Sequence, residues 1–522
     1  MKERVLLILI LFCFQRLSAS LPDSLVKFND LVFKNEVEKS AFKKKSLKDT
    51  TNIIHYFLTP FDKEKGFDPV IADKKINDCI SVLQKEIHSK TEIKRIKIIY
   101  DHVHKAFLKV YKLKNSFSDI FENGEYNCVS ASALYAIIFS RLNVPYQIME
   151  TPQHVYLVAY PKTHKILIET TSPEKGYYQF NNNYVEKYVK NLYLSKLITK
   201  EEYESNTATT LFNKHYFSSE NISLMQLAGL QYSNYGFYDL EDKKYELAIS
   251  EIKKAYYLNP CEKHKYLLKS ALTYQVSNNN YDNLQQISDL SILCRFNNFK
   301  DDELSNEMIR NEFIRVIQTQ LIKNSDYTKF DTSYSVITSS ISDTVLKNEI
   351  DFAYHYELSR IGYQNFQPSE YEIKHLLAAY TVNPRHADLQ SIILSYFSRV
   401  MEKISDPSVI LSLMKDYTNK FNFLNDNTQF NNVKSNCFLE LSYQNFSINN
   451  ISKGESYLKE FEKLIEDNEI VKPAQFYVEK AYSVAAGFYY KQGNYPKAKQ
   501  FIKTGLLYAP DSFSLKQRLN QF

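Results

Sequence analysis

The chain has 522 residues, 44% apolar and 24% charged, the proportions of ordinary globular protein, which excludes wholesale disorder and allows roughly two to four domains. Its net charge of +5 is small against 65 Lys and Arg and 60 Asp and Glu, and no basic block stands out, so a nucleic-acid partner is not expected. Only 10 Gly and 14 Pro occur, too few turns for an all-β architecture, while 41 Tyr, 34 Phe and no Trp point to helix interfaces filled by aromatic rings.

Residues 1–20 read as an export signal. Lys2 and Arg4 form a basic start, Val5 to Phe14 is an apolar run too short for an ordinary transmembrane helix, and Ser18-Ala19-Ser20 offers small residues for cleavage. The protein is therefore expected to be exported, periplasmic or secreted, with no transmembrane segment after cleavage. Beyond Cys13 the cysteines are Cys79, Cys128, Cys261, Cys294 and Cys437, an odd and scattered set with no CxxC pair. That spacing argues against a disulfide scaffold or a zinc site and leaves at least one thiol free.

From Leu21 to about Phe67 the pattern is weak and rich in lysine; helices and loops packed on the next segment are expected. Ile76, Ile80, Leu83 and Ile87 then recur at helical spacing, and Ser89 to Glu92 has the form of a capping box ahead of a second helix. In that helix Ile96, Ile99, Tyr100, Val103, Phe107 and Val110 make one apolar face. His102 and His104 stand two apart and cannot share a helix face as a metal pair would, so they read as surface or satisfied histidines. A helix from Cys128 to about Leu142 is apolar almost all round and belongs inside a domain. Asn143 suits the position after its end, and Pro145 prevents continuation. Strands are expected over 146–150, 155–160 and 165–171, the last two joined by a turn at Pro161 to His164.

Beyond about Leu211 the periodicity is helical to the end. Gly236, Tyr245, Ala248, Ala255 and Pro260 stand at the same offsets as Ala486, Tyr495, Ala498, Gly505 and Pro510. Small residues where paired helices touch, a facing aromatic and a closing Pro match a tetratricopeptide repeat. A weaker third copy ends at Pro384, with Glu372 at the position of the expected alanine. Residues 211–522 are thus expected to form an α-solenoid with degenerate central repeats.

The stretch Phe121 to Pro173 carries the chemistry. A thiol at a helix start lies beside free amide N–H groups and the positive end of the dipole, which stabilise a thiolate and can hold an oxyanion. His154, at the mouth of a strand, supplies a base, and a carboxylate on the next strand can fix its tautomer. Pairing Tyr160 with Lys165 sets Tyr156 opposite Glu169 and His154 opposite Thr171, so His154 and Glu169 share a sheet face as diagonal neighbours. Ser130 and Ser132 read as helix-packing residues, Glu150 and His164 as surface charges, and the other four cysteines as helix-interior hydrophobes. Asn127 and Asn115 are the nearest side chains for an oxyanion hole.

The texts NCVSASALYAIIFSRLNVPYQI, HVYLVAY and ILIETTSP resemble the core of the transglutaminase-like superfamily, a circularly rearranged relative of papain-type cysteine enzymes. The resemblance covers roughly residues 91–190. It implies an α+β domain of a core helix and a small antiparallel sheet, with a Cys-His-acid triad of Cys128, His154 and Glu169 and no metal or organic cofactor. Glu169 stands where the family carries Asp, and Val155 replaces the family's aromatic after the His. Fusion to tetratricopeptide-like repeats resembles a group of exported bacterial transglutaminase-like proteins. The expected layout is a signal peptide over 1–20, an N-terminal helical segment over 21–90, a transglutaminase-like core over 91–210 and the solenoid over 211–522, mostly α overall.

Two functions follow from this reading. One is a thiol enzyme that attacks amides of a protein or peptide and passes the acyl group to water or to an amine. The other is a non-catalytic scaffold whose repeats bind a protein or peptide partner.

Overall fold

The computed structural model describes residues 25–44, 50–58, 68–151, 154–171, 176–178, 180, 182–216, 220–298, 305–364, 369–468 and 470–521. The expected signal peptide lies outside the described residues. Those residues are predominantly helical, with one small antiparallel sheet and a two-stranded parallel ribbon. Among them no helix is long and apolar enough to cross a membrane. Packing divides the chain into two compact units, Met1–Ser305 and Asn306–Phe522. The first unit takes in residues 211–305, which the repeat text groups with the solenoid.

The first unit opens with a 3-10 turn (Phe28–Asp30), α1 (Glu36–Lys44), α2 (Thr50–Leu58), α3 (Pro69–Ile87) and α4 (Glu92–Phe107). α3 starts where the sequence supplies both a cap and a preset φ: the Asp68 carboxylate accepts from Val70 N, and Pro69 is the first helical residue. The apolar faces buried in α3 and α4 are those the spacing indicates, except for Val110. α4 ends at Phe107, and Val110 lies on an exposed strand. The expected capping box does not form either. Thr91 is the residue before α4, without a side-chain cap bond, so Ser89 stands too early to serve.

β1 (Val110–Tyr111), α5 (Asp119–Glu122) and β2 (Glu125–Tyr126) lead into α6 (Cys128–Arg141). β1 and β2 pair in parallel, joined where Lys109 N and Val110 N donate to Gly124 O. Gly124 has φ +82°, and an added Cβ would lie 2.7 Å from the Lys109 side chain, so both conformation and space select glycine there. Every residue of α6 from Val129 to Phe139 is buried. Asn143 closes the helix in the left-handed region at φ 56°, with Val144 N donating to Phe139 O, as the sequence indicates.

The sheet has the order β6-β5-β4-β3-β7, from β3 (Tyr146–Glu150), β4 (Val155–Ala159), β5 (Ile166–Ile168), β6 (Tyr177–Tyr178) and β7 (Glu220–Ile222). β4 and β5 pair Leu157 with Ile168, Val158 with Leu167 and Ala159 with Ile166, the register expected from a Tyr160–Lys165 turn. That turn holds Tyr160 and Lys165 at positive φ, with Lys165 N donating to Tyr160 O. β7 departs from the sequence reading, which is helical throughout beyond Leu211; it pairs antiparallel with β3 and extends the sheet. Between β6 and β7 lie α7 (Asn182–Leu194), α8 (Lys200–Ser205) and α9 (Ala208–Tyr216), and after β7 come α10 (Leu224–Glu241), α11 (Tyr245–Leu258), α12 (Glu262–Asn278) and α13 (Leu284–Asn297).

The second unit is helical: α14 (Asn306–Val316) with a π-helical extension (Ile317–Lys323), α15 (Tyr327–Thr338), α16 (Thr344–Gln364), α17 (Glu370–Val382), α18 (Ala387–Met401), α19 (Pro407–Lys420), α20 (Thr428–Ser447), α21 (Ile451–Asp467), α22 (Gln475–Lys491), α23 (Tyr495–Tyr508) and α24 (Phe513–Leu519). Successive helices pack as neighbours, closest in α16 with α17, α20 with α21 and α22 with α23. The small residues stand where helices touch. A Cβ on Gly505 would lie 2.9 Å from Tyr482, and Ala486 and Ala498 are buried. In the first unit a Cβ on Gly236 of α10 would lie 2.7 Å from Ile252 of α11. At the weaker copy Glu372 is fully buried opposite Gly362 and pairs with Arg399, so a small residue across the interface and an ion pair accommodate the missing alanine.

Candidate active site

The N-terminus of α6 is closed by a reciprocal cap. Asn127 is its N-cap: Asn127 Oδ1 accepts from Val129 N at 3.0 Å and Ser130 N at 2.9 Å, while Ser130 Oγ accepts from Asn127 N at 2.9 Å. This reciprocal box satisfies two of the amides a helix leaves open. Cys128 is the first helical residue, half-buried, and its own N–H has no partner among the described residues. Ser132, one turn on, donates to Val155 O at 3.3 Å and so fastens the cysteine helix to the strand that follows His154.

His154 is held by a short loop. Thr151 N and Oγ1 both donate to His154 O, at 2.8 and 2.9 Å, and His154 N donates back to Thr151 Oγ1 at 3.0 Å. Alternation along β4 and β5 sets His154, Tyr156 and Val158 on one face with Leu167 and Glu169. Tyr156 stacks near the imidazole and packs with Met149, Val158 and Leu167. His154 Nε2 lies 3.3 Å from Glu169 Oε1, an ion-pair distance without the alignment of a good hydrogen bond. Glu169 Oε1 is fixed from its other side by Thr171 Oγ1 at 2.7 Å and Thr171 N at 3.0 Å. His154 and Glu169 are thus brought together, with Cys128 near enough to act on the charge of the imidazole.

The electrostatics follow from these contacts. The Cys128 thiol, and after it Glu169, favour the protonated imidazole and raise the His154 pKa to about 9 against the opposing effect of burial. Burial works to raise the Glu169 carboxyl, but His154 and the two donors of Thr171 outweigh it and hold the pKa at about 2. At neutral pH the imidazole therefore carries its proton beside an ionised carboxylate. The side chains of His154 and Glu169 remain 31% and 15% exposed, so the pair is neither sealed nor fully solvated.

Asn115 and Asn127, the nearest side chains for an oxyanion hole, are both engaged in structure. Asn127 spends its oxygen on the cap, and its Nδ2 donates to Leu113 O at 3.1 Å. Asn115 Nδ2 donates to Ser116 O and Glu125 O, and its oxygen accepts from Ser130 Oγ at 2.9 Å. The backbone N–H of Cys128 is the donor left available. Ser130 and Ser132 serve packing, as their positions indicate. His102 lies 3.8 Å from Glu86 at the surface, whereas His104 is half-buried with its Nδ1 2.7 Å from Tyr135 Oη, and the burial it has lowers its pKa to about 4. Glu150 and His164 reach Lys263 and Glu92 at 3.6 and 3.3 Å. Cys79, Cys294 and Cys437 are buried within helices; Cys261 instead precedes α12, half-exposed, because a cap position rather than a core face receives it.

Three residues at the site carry no local signal of their role. Thr171 fixes the carboxylate, Tyr111 lies in the field of both Cys128 and Glu169, and Tyr238 arrives from α10 with its hydroxyl on Leu113 O at 2.6 Å. Thr171 lies only two residues beyond Glu169, but that spacing does not mark it as the anchor of the carboxylate. Among the described residues no cluster of His, Cys, Asp and Glu is arranged to hold a metal ion. Compared with known proteins, the sequence matches no family model and no curated protein.

Proposed function

We propose that the protein is an exported, transglutaminase-like thiol enzyme that cleaves or transfers amide-linked acyl groups of protein or peptide substrates. The observation that carries this is the arrangement of Cys128 at the first turn of a buried helix, electrostatically coupled to a His154 whose Nε2 meets an anchored Glu169. In this reading the Cys128 thiolate attacks the amide carbonyl, and the oxyanion forms against the free Cys128 N–H. The His154 imidazolium gives its proton to the leaving amine, which departs and leaves a thioester. Neutral His154 then takes a proton from water or from a second amine as that nucleophile attacks the thioester, and the thiolate is released. Glu169 holds the imidazole and balances its charge throughout.

The test is alkylation of the native protein with iodoacetamide at neutral pH, wild type beside Cys128→Ala. Rapid modification confined to Cys128 and lost in the variant is expected. Burial pushes the Cys79 and Cys437 thiols up to about 11 and Cys294 up to about 12, so these should stay unmodified in the same time. Equal modification of the two proteins would rule against an activated Cys128. A peptidyl amide offered with and without a primary amine then separates hydrolysis from acyl transfer.

A second reading, a partner-binding scaffold, is favoured by large apolar side chains left in the open on the second unit: Phe476 is 64%, Leu507 77% and Phe513 78% exposed. Tetratricopeptide-like helical pairs within that unit would supply the binding face. Full-length Cys128→Ala that still captures the partners of the wild type would support it; loss of capture with the thiol would not.

A further inference from the structure

We infer that Tyr238 of α10 is a positioning residue of the Cys128 site, setting which backbone amide remains open to the substrate oxyanion; this rests on reading Cys128 as the nucleophile. The geometry is a chain of short polar contacts. Tyr238 Oη donates to Leu113 O at 2.6 Å, and the same carbonyl accepts from Asn127 Nδ2 at 3.1 Å. Asn127 in turn occupies the amides of Val129 and Ser130 through its Oδ1, which leaves the Cys128 N–H as the first-turn donor without a partner among the described residues. Two donors therefore saturate the Leu113 carbonyl and fix the plane of the Asn127 amide.

A second tether runs alongside. Lys114 Nζ lies 3.0 Å from Asp242 and 3.6 Å from Glu241, at the end of α10, and 5.6 Å from the Tyr238 ring. The segment beside Cys128 is thus docked on α10 at Leu113 and at Lys114. Burial, followed by the charge on Cys128, pushes the Tyr238 pKa up to about 12, so the hydroxyl stays a donor over the whole working range. Removing that hydroxyl frees a carbonyl lone pair near the thiolate and unlocks the Asn127 side chain. Both changes oppose negative charge at the site.

The test compares Tyr238→Phe, Asn127→Ser and the double variant in the full chain, reading the rate and pH profile of Cys128 alkylation together with the melting temperature. Tyr238→Phe keeps the ring; Asn127→Ser keeps a cap oxygen but loses the arm to Leu113. Each single variant is expected to slow alkylation about tenfold and move its acid limb to higher pH, and the double variant to lose no more than the worse single. A wild-type rate and profile in folded Tyr238→Phe, or losses that multiply in the double variant, would overturn the inference while leaving the thiol reading intact. If Tyr238→Phe lowers the melting temperature, Lys114→Ala is the control: it cuts the parallel tether and should leave the alkylation profile unchanged, and a matching profile shift there would also overturn it. A wild-type Cys128 that alkylates no faster than Cys261 would remove the premise and the inference together.

Discussion

At His154 the direction of the pH dependence follows from which form its neighbours favour. Cys128 and Glu169 both stabilise the imidazolium and carry its pKa from 6.5 to about 9, so this contribution to stability is complete below about pH 6.5 and is lost as pH rises through about 9. Glu169, held at about 2 against 4.5, contributes stability that is present above about pH 4.5 and lost as pH falls through about 2. Glu169→Gln removes the carboxylate and is expected to lower the His154 pKa by at least about one unit and draw the alkaline limb of activity toward neutral pH. Titration of the His154 ring by NMR in both proteins measures it; an unchanged midpoint would mean that Cys128 alone sets the imidazole. Glu169→Asp should shift the midpoint less, because the charge persists but withdraws from the imidazole by one methylene. The residue types were legible from sequence, since order and strand parity bring a His and a Glu to one face. Thr171 as the anchor of that Glu was not, because a threonine after a strand has many uses.

Among the elements, α6 is the one whose ends the chain specifies most fully. Asn127→Ala removes two accepted hydrogen bonds at the cap and is expected to cost about 1 kcal/mol, whereas Asn127→Ser, which keeps an acceptor, should lie within a few tenths of wild type. Urea denaturation midpoints at equal slope would measure both, and equal losses in the two would show that capping is not what Asn127 contributes. The left-handed Asn143, the Tyr160–Lys165 turn and the β4–β5 register were all readable because each depends on residues within about ten positions. The failures at this scale have equally local causes. Ser89-x-x-Glu92 has capping-box composition, yet His88 ends α3 and the helix beyond starts only at Glu92. Glu220–Ile222 is too short to show alternation, and becomes a strand because β3 offers it an open edge.

Over the molecule, long-range charge pairing ties the start of the chain to residues more than 200 positions away. Glu38, Glu251 and Lys254 are fully buried; Lys254 Nζ lies 2.9 Å from Glu38 and 3.7 Å from Glu251, Lys34 reaches Glu251 at 3.2 Å, and Tyr232 Oη donates to Glu38 at 2.9 Å. Arg295 of α13 meets Asp30 at 2.6 Å. These pairs hold α11 and α13 to the N-terminal segment and account for residues 211–305 belonging with the first unit. Lys254→Ala would leave Glu38 without its cation and Glu251 with Lys34 alone, and is expected to destabilise the first unit by about 3–5 kcal/mol, read as a fall in its denaturation midpoint. A change within 1 kcal/mol would mean that water or a shifted side chain already screens the cluster.

The features readable along the chain are local or periodic: the buried helix opening at Cys128, the register that sets His154 beside Glu169, and the small residues where helices meet. Hydrophobic spacing, caps and turn chemistry act over a few residues and can be read in order along the chain. The tertiary structure decided the rest: a tyrosine from α10 closing the polar chain at Cys128, a strand from residues 220–222 completing the sheet, and buried charges joining Asp30 and Glu38 to α13 and α11. Each depends on which surfaces the folded chain brings together, and a polar side chain carries no local signature of the distant partner that will satisfy it.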